Sequence, residues 1–281
     1  MTVVVRRPAP PLDDLVTAIT YRAGEQSRTS VEKILPGPET SLWVNLNRDA
    51  FRSFGDAGQV RQVPGAMVAG PSGHASVIEF EEGHAHVSVT FALGAAHGFL
   101  APPLALLRDD LVPLEALYGH LGACLRERLL EASSPDKALS VMEGFLLRQM
   151  KGFLPRQMTG AFGPDPAVIA AAGALSRGVP VGEVSDGLGL LPRTLRRRFT
   201  AQVGLTPKRF ARIQRLQRLV RDLDGQTQVD WAAMANRHGY ADQSHLADEF
   251  RELVRVTPTG YLRSRVNGPN HLLFPSQAGA E

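Results

Sequence analysis

The strongest constraint on this chain is a repeat in its C-terminal third. Placing Phe199 over Phe250 brings Leu195 onto Leu246, Thr206-Pro207 onto Thr257-Pro258 and Phe210 onto Tyr261, all at an offset of 51 residues. Upstream, Gly189 falls on Gly239 at an offset of 50, so the second copy has one more residue in its turn. Each copy reads as a helix, a glycine-bearing turn, a second helix and a Thr-Pro helix start. A short turn of this kind sets two helices at a steep angle, the geometry with which a helix-turn-helix unit enters the major groove of DNA. Gly189 and Gly239 are the residues most able to take the positive φ that such turns use.

Helical spacing then sorts the side chains. In the first copy Leu195, Phe199 and Val203 share one face, Arg193, Thr194 and Arg197 lie opposite, and Arg196 and Arg198 flank them. A run of four arginines on a helix is ordinarily a solvated face. Within this repeat it has a second use, because the arginine fork matches guanine O6 and N7 or a phosphate. In the second copy Leu246, Phe250 and Leu253 turn inward and Ser244, Ala247, Asp248 and Arg251 outward, with Asp242 predicted as the N-cap. The connecting helix, KRFARIQRLQRLVRDL, has Phe210, Ile213, Leu216, Leu219, Val220 and Leu223 inward. Its Lys208, Arg209, Arg212, Arg215 and Arg218 read as largely outward, mostly a solvated face with some phosphate contacts.

Charge agrees with this placement. Residues 165–266 carry 16 Lys and Arg against 10 Asp and Glu, a net +6, whereas the rest of the chain is net −3. Such asymmetry is expected when one part of a chain meets a polyanion and the other does something else. The 281 residues are 43% apolar and 21% charged, ordinary for a soluble globular chain of about two domains. One cysteine, Cys124, makes no internal disulfide and fits a reducing compartment; it is expected as a buried thiol beside the leucines of its helix. The opening MTVVVRRPAPP is far short of a signal-peptide or membrane-spanning apolar run, so a cytoplasmic protein without membrane contact is expected.

Between residues 15 and 113 short runs of near-alternating apolar residues, SLWVNLN, ASVIEF and HVSVTFAL, are punctuated by Gly and Pro clusters. This predicts an antiparallel barrel or sandwich. After Pro113 the period turns helical: Leu114, Leu117, Tyr118, Leu121, Leu125 and Leu129 predict a helix over 114–131. A second is predicted over 135–151, with Ser134 as cap and Pro135 in the first turn. The fold class is therefore α+β. The expected parts are a β-rich sensor domain (1–113), a helical pair and linker for coupling or dimerisation (114–164), an all-α domain (165–266) and a disordered tail (267–281).

The segment GYADQSHLADEFRELVRVTPTGYLRSR, together with VGEVSDGLGLLPRTLRRRFTAQVGLTPKRFARIQRLQRL, resembles the paired helix-turn-helix region of AraC/XylS-type transcriptional regulators, over about 100 residues with both copies in order. Earlier stretches, ILPGPETSLWVNLN, VAGP and LVPLEALYG, are similar to the sensor-like region of an actinobacterial-type subset. The resemblance implies a bacterial-type transcription factor binding double-stranded DNA through two modules joined by a rigid helix. An N-terminal domain for an unidentified small-molecule effector or for dimerisation is also implied; RNA polymerase and a second copy of the chain are further candidate partners. The base-reading positions it implies are Arg193, Arg196 and Arg197 in the first module, beside Thr194, and Gln243, Ser244, Ala247 and Asp248 in the second. Arg198, Lys208, Arg209 and Arg251 are the phosphate candidates. Two residues depart from the family pattern: Leu191 stands where a capping serine is usual, and Asp248 where a basic residue is. A carboxylate there repels phosphates or accepts from cytosine N4, and the second module is expected to contribute less affinity.

The competing reading is a metal-dependent enzyme or small-molecule binder working through the N-terminal sheet. GHAHV places His84 and His86 on one side of a strand with His74, Glu79 and Glu81 nearby, yet no further glutamate follows in VSVTFALG to complete a cupin-like metal set. No Ser-His-Asp pattern and no glycine-rich phosphate loop is present. Neither catalysis nor a cofactor or metal is expected, and Trp43 and Trp231 are read as core.

Overall fold

The computed structural model describes residues 2–24, 29–55, 59–153, 163–265 and 270–273. Its strands are β1 (Thr2–Arg6), β2 (Val16–Ala23), β3 (Ser30–Ile34), β4 (Ser41–Asn45), β5 (Ala50–Phe54), β6 (Val60–Pro64), β7 (Ala66–Ala69), β8 (Ser76–Phe80), β9 (Ala85–Phe91), β10 (Leu111–Pro113) and β11 (His271–Leu273). The helices are α1 (Leu114–Tyr118), α2 (His120–Leu130), α3 (Pro135–Phe153), α4 (Pro166–Ser176), α5 (Val181–Gly187), α6 (Pro192–Val203), α7 (Pro207–Asp222), α8 (Trp231–Arg237), α9 (Gln243–Val254) and α10 (Pro258–Ser264). None is long and apolar enough to cross a membrane among the described residues.

Strand alternation builds two facing sheets, with orders β1-β2-β9-β4-β7-β10 and β11-β3-β8-β5-β6, every pairing antiparallel. In the first sheet Leu42 pairs with Val68 and Val89, and Val44 with Val87, so these apolar side chains share one face. That face is sealed against the helical pair in one buried cluster with Leu125, Leu129, Met142 and Phe145. Each such aliphatic side chain contributes about 1.5–3 kcal/mol by leaving water. The alternate residues, Trp43 paired with Met67 and Ser88, and Asn45 with His86, occupy the other face, toward the second sheet.

The helical pair differs from its sequence reading. Gly119, at φ 58°, interrupts the expected single helix between α1 and α2. The rotation this introduces leaves Leu121 57% exposed while Leu125 and Leu129 stay in the core. The next helix begins where expected, with the Ser134 hydroxyl accepting the Lys137 N–H at 3.3 Å. The linker reading falls mostly on 154–162, outside the described residues.

Two buried clusters organise the C-terminal third, one for each copy of the repeat. Val168, Leu175, Leu195, Phe199 and Phe210 belong to the first, and Leu216, Leu246, Phe250 and Tyr261 to the second. The aligned aromatic pairs make the same edge-to-face contact twice, Phe199 with Phe210 at 5.2 Å and Phe250 with Tyr261 at 5.6 Å. The disordered tail expected from 267 is corrected at β11, which pairs with the edge strand β3. Leu272, 1% exposed, joins Leu35 in the second copy's core. Three residues are too few for periodicity to register, but one buried leucine and three paired residues anchor the segment.

Candidate DNA interface and adjoining cavity

The two units are built alike. In the first, α5 leads through Gly189 at φ 62° into α6; in the second, α8 leads through Gly239 at φ 72° into α9. The first turn is tied by the buried Ser185 hydroxyl, which donates to the Leu190 carbonyl at 2.6 Å. The Thr-Pro pairs do the same job in both copies: Thr206 Oγ1 accepts from Arg209 N at 3.2 Å and Thr257 Oγ1 from Gly260 N at 3.0 Å. Asp242 caps α9 by accepting from His245 N at 2.7 Å, whereas α6 starts at Leu191 with no side-chain cap.

On the outer side of α6, Arg193, Arg196 and Arg197 are exposed and make no ion pair among the described residues, with Thr194 half-buried beside them. Arg198 lies 3.4 Å from Asp165. On α9, Gln243, Ser244 and Asp248 are exposed and Ala247 is half-buried. Asp248 pairs with Arg251 at 2.7 Å on the same helix, so its charge is locally offset. Lys208 is exposed at the start of α7, but Arg209 beside it is committed inward, donating to Glu252 at 3.1 Å and to the Gly73 carbonyl at 2.5 Å.

The sequence reading missed what holds α9 to α7. Glu249, 6% exposed, accepts from Arg212 Nε at 2.8 Å and from Arg215 Nη2 at 2.7 and 2.8 Å. Arg212 also donates to Glu252 at 3.0 Å, and this partner holds the Glu252 carboxyl below its ordinary pKa. Arg215 lies 4.4 Å over the Tyr240 ring and donates to the Gly239 carbonyl at 3.1 Å. Arg218 donates to the Ser176 carbonyl. These arginines, expected on a solvated face, are therefore structural. The available signal was a glutamate placed within the inward stripe of α9, between Leu246 and Leu253.

The β-rich part packs directly on both units. The segment around Gly73 is the main strap: Asp109 accepts from Gly73 N at 2.6 Å and His74 N at 3.2 Å on one side. On the other, Arg209 holds the Gly73 carbonyl and Ala75 N donates to the Leu253 carbonyl at 2.9 Å. Gln217 of α7 donates to the Pro36 carbonyl at 2.7 Å. Beside this strap lies a cavity of about 700 Å³, lined by both sheets and by Arg255, the residue that ends α9. Trp43, expected as core, is half-buried on its wall.

His84 and His86 are each 4% exposed with ring centroids 5.0 Å apart, and Trp43 lies 4.5 Å from His86. Burial, then the charges of His84 and Arg22, lowers the His86 pKa to about 3. Among the described residues no group of three or more His, Cys, Asp or Glu is placed to hold a metal ion. Cys124, expected to be buried, is half-buried with its sulfur 3.1 Å from His120 Nε2.

Comparison with known proteins places two family models on the chain. Residues 184–264 match a helix-turn-helix domain, and residues 5–113 match a domain of unknown function (DUF6597). No curated protein matches the chain. ToxT from Vibrio cholerae is similar at 11% identity and a TM-score of 0.46, over 87% of this chain and 98% of that one. An unsaturated fatty acid-bound ToxT from the same organism gives 12% identity and 0.42, over 87% and 94%. The AraC-like transcriptional activator CuxR gives 14% identity and 0.26, over 77% and 86%.

Proposed function

We propose that this chain, which carries a helix-turn-helix domain, is an AraC/XylS-type DNA-binding transcriptional regulator that reads a specific duplex through α6 and α9, and that the β-rich part makes this reading depend on a small molecule. The observation that carries the DNA half is the duplicated unit, whose outer faces present Arg193, Arg196 and Arg197 unpaired among the described residues. The 16 residues of α7 rise about 24 Å and join the two units. Two recognition helices set in successive major grooves read blocks one turn of duplex apart.

The base-reading set is Arg193, Thr194, Arg196 and Arg197 with Gln243, Ser244, Ala247 and Asp248. Arg198, Lys208 and Arg251 are the phosphate contacts, and Arg209 joins them only once its bond to Gly73 is released. The Asp248–Arg251 pair supports a weaker second module, since it offsets the one arginine beside a carboxylate on that face. Residues 165–266 are the DNA-binding part and 1–113 the sensor. Within 114–164, the exposed Leu121 and Leu130 on α2 support self-association, which the mass in solution tests.

The cavity of about 700 Å³ supports the effector half, since small-molecule sites span roughly 300–1,000 Å³. It shares the Gly70–Ser76 segment with the strap that Arg209 and Leu253 hold, so an occupant touching that wall bears on both α7 and α9. Selection from a random duplex pool tests the DNA half. Two enriched blocks about ten base pairs apart are expected; a pool left without enrichment overturns sequence-specific reading.

A further inference from the structure

The cavity that we read as the effector site has an uneven chemistry. Its body is aromatic and apolar, with Trp43, Phe51, Met67, Ile78 and Phe80 on the walls. Three carboxylates (Glu39, Asp109 and Asp110) and two guanidiniums (Arg61 and Arg255) line it, beside His74 and His271. Their partners decide what charge the cavity offers. Arg61 is paired with Asp110 at 2.6 Å, His74 lies 3.6 Å from Asp109, and His271 hydrogen-bonds Glu32 at 2.8 Å. Arg255 also has an interaction partner. Glu39 makes no ion pair among the described residues.

Glu39 lies at the cavity with its carboxylate folded back over Gly37, whose missing side chain leaves that side open to Oε2. Glu39 is exposed and lines the cavity. Desolvation by the protein around the carboxyl still raises its pKa, which its own backbone N–H only partly offsets and which a cation beside it would oppose.

We propose that the cavity takes an organic cation, its apolar body against Trp43, Phe51 and Phe80 and its ammonium on the Glu39 carboxylate. Both kinds of wall favour this occupant over an acid. A carboxylate ligand would meet no unengaged cation among the described lining residues and would face the π clouds of the aromatic rings, which attract positive charge. The ammonium completes Glu39, the one acid among the described lining residues without an ion pair, with a charge-assisted hydrogen bond.

The proposal rests on the reading of this cavity as a small-molecule site, and one calorimetric titration series separates the two. The full chain is titrated with 2-(2-naphthyl)ethylamine, with 2-(2-naphthyl)ethanol and with 2-naphthylacetate, probes of like shape and different charge. The amine should bind at least about tenfold more tightly than the other two, the worth of one charge-assisted hydrogen bond. Glu39→Gln should weaken the amine about tenfold and leave the alcohol within about twofold, and Glu39→Lys should reverse the preference toward the acetate. An acetate that binds more tightly than the amine, or amine binding unchanged in Glu39→Gln, overturns the cation assignment. Equal binding of amine and alcohol also overturns it and leaves the small-molecule site standing. If none of the three binds, both readings fall.

Discussion

Glu249 accepts three hydrogen bonds from Arg215, two from Nη2 at 2.7 and 2.8 Å and one from Nε at 3.1 Å, and so locks the buried side of α9 onto the connecting helix α7. The side chains of Arg215 and Arg212 are only 22% and 23% exposed, so neither guanidinium is fully hydrated if the carboxylate is lost. Glu249→Leu is therefore expected to destabilise the chain by about 3 kcal/mol, the scale for removing one partner of a buried ion pair. Urea unfolding followed by circular dichroism measures this. Adding Arg215→Met should recover part of the loss, because it removes one of the abandoned charges; an additive double mutant would mean that the two residues are not coupled.

The same pair shows where the sequence stops being informative. Leu195, Phe199, Leu246 and Phe250 were legible because the inward stripe of a helix is set by local spacing, and the 51-residue repeat checks each against its copy. The partners of Arg212, Arg215 and Arg218 lie between 24 and 42 residues away, and local spacing is silent about them. An arginine stripe looks the same whether it faces water or a glutamate on another helix. The cavity was hidden for a related reason: Trp43 and Phe51 look like core residues in a strand, and only the separation of the two sheets makes them a wall. The binding roles of α6 were read from side-chain type and family resemblance, and the geometry adds that Arg193, Arg196 and Arg197 are accessible.

Two glycines with nearly the same backbone should respond differently to alanine. Gly189 is at φ 62° with nothing within 4 Å of an added Cβ, so Gly189→Ala bears only the left-handed strain, about 1 kcal/mol. Gly204 is at φ 77°, and its Cβ would meet the Leu104 carbonyl oxygen at 2.9 Å and crowd Pro71. Backbone must move there, where α6 abuts the β-rich part, so Gly204→Ala should cost at least about 2 kcal/mol. Equal losses in thermal or urea unfolding would show that the contact with Leu104 is loose.

His86 should make stability depend on pH above the carboxylate range. Burial first, then His84 and Arg22, lowers its pKa from 6.5 to about 3 in the folded chain. On unfolding it binds a proton that the native state refuses, so its contribution is complete above pH 6.5 and declines as the pH falls toward 3. The slope approaches about 1.4 kcal/mol per pH unit in the middle of that window and falls to about half of it as the pH reaches 3. Urea midpoints of the native chain should therefore drop between pH 6.5 and 5, and those of His86→Phe should drop less. Parallel curves would mean that His86 is protonated in the folded state.

The positions of Lys208, Arg209 and Arg197 predict three separable effects on DNA binding. Each phosphate contact contributes about 0.9 to the slope of log affinity against log salt, through the counterion it releases. Lys208 is exposed, so Lys208→Ala should lower that slope by about one and weaken cognate and scrambled duplexes alike. Arg209 is held by Glu252 and the Gly73 carbonyl, so Arg209→Ala should leave the slope unchanged and act on how the β-rich part couples to α7. A slope that falls in Arg209→Ala would mean that DNA draws this side chain out of its strap. Arg197 is exposed opposite the Leu195 and Phe199 face, and its loss should cost about 1–3 kcal/mol on the cognate duplex with little change on the scrambled one. Fluorescence anisotropy across a salt series gives all three, and an unchanged cognate-to-scrambled ratio in Arg197→Ala would assign that arginine to the backbone instead of a base.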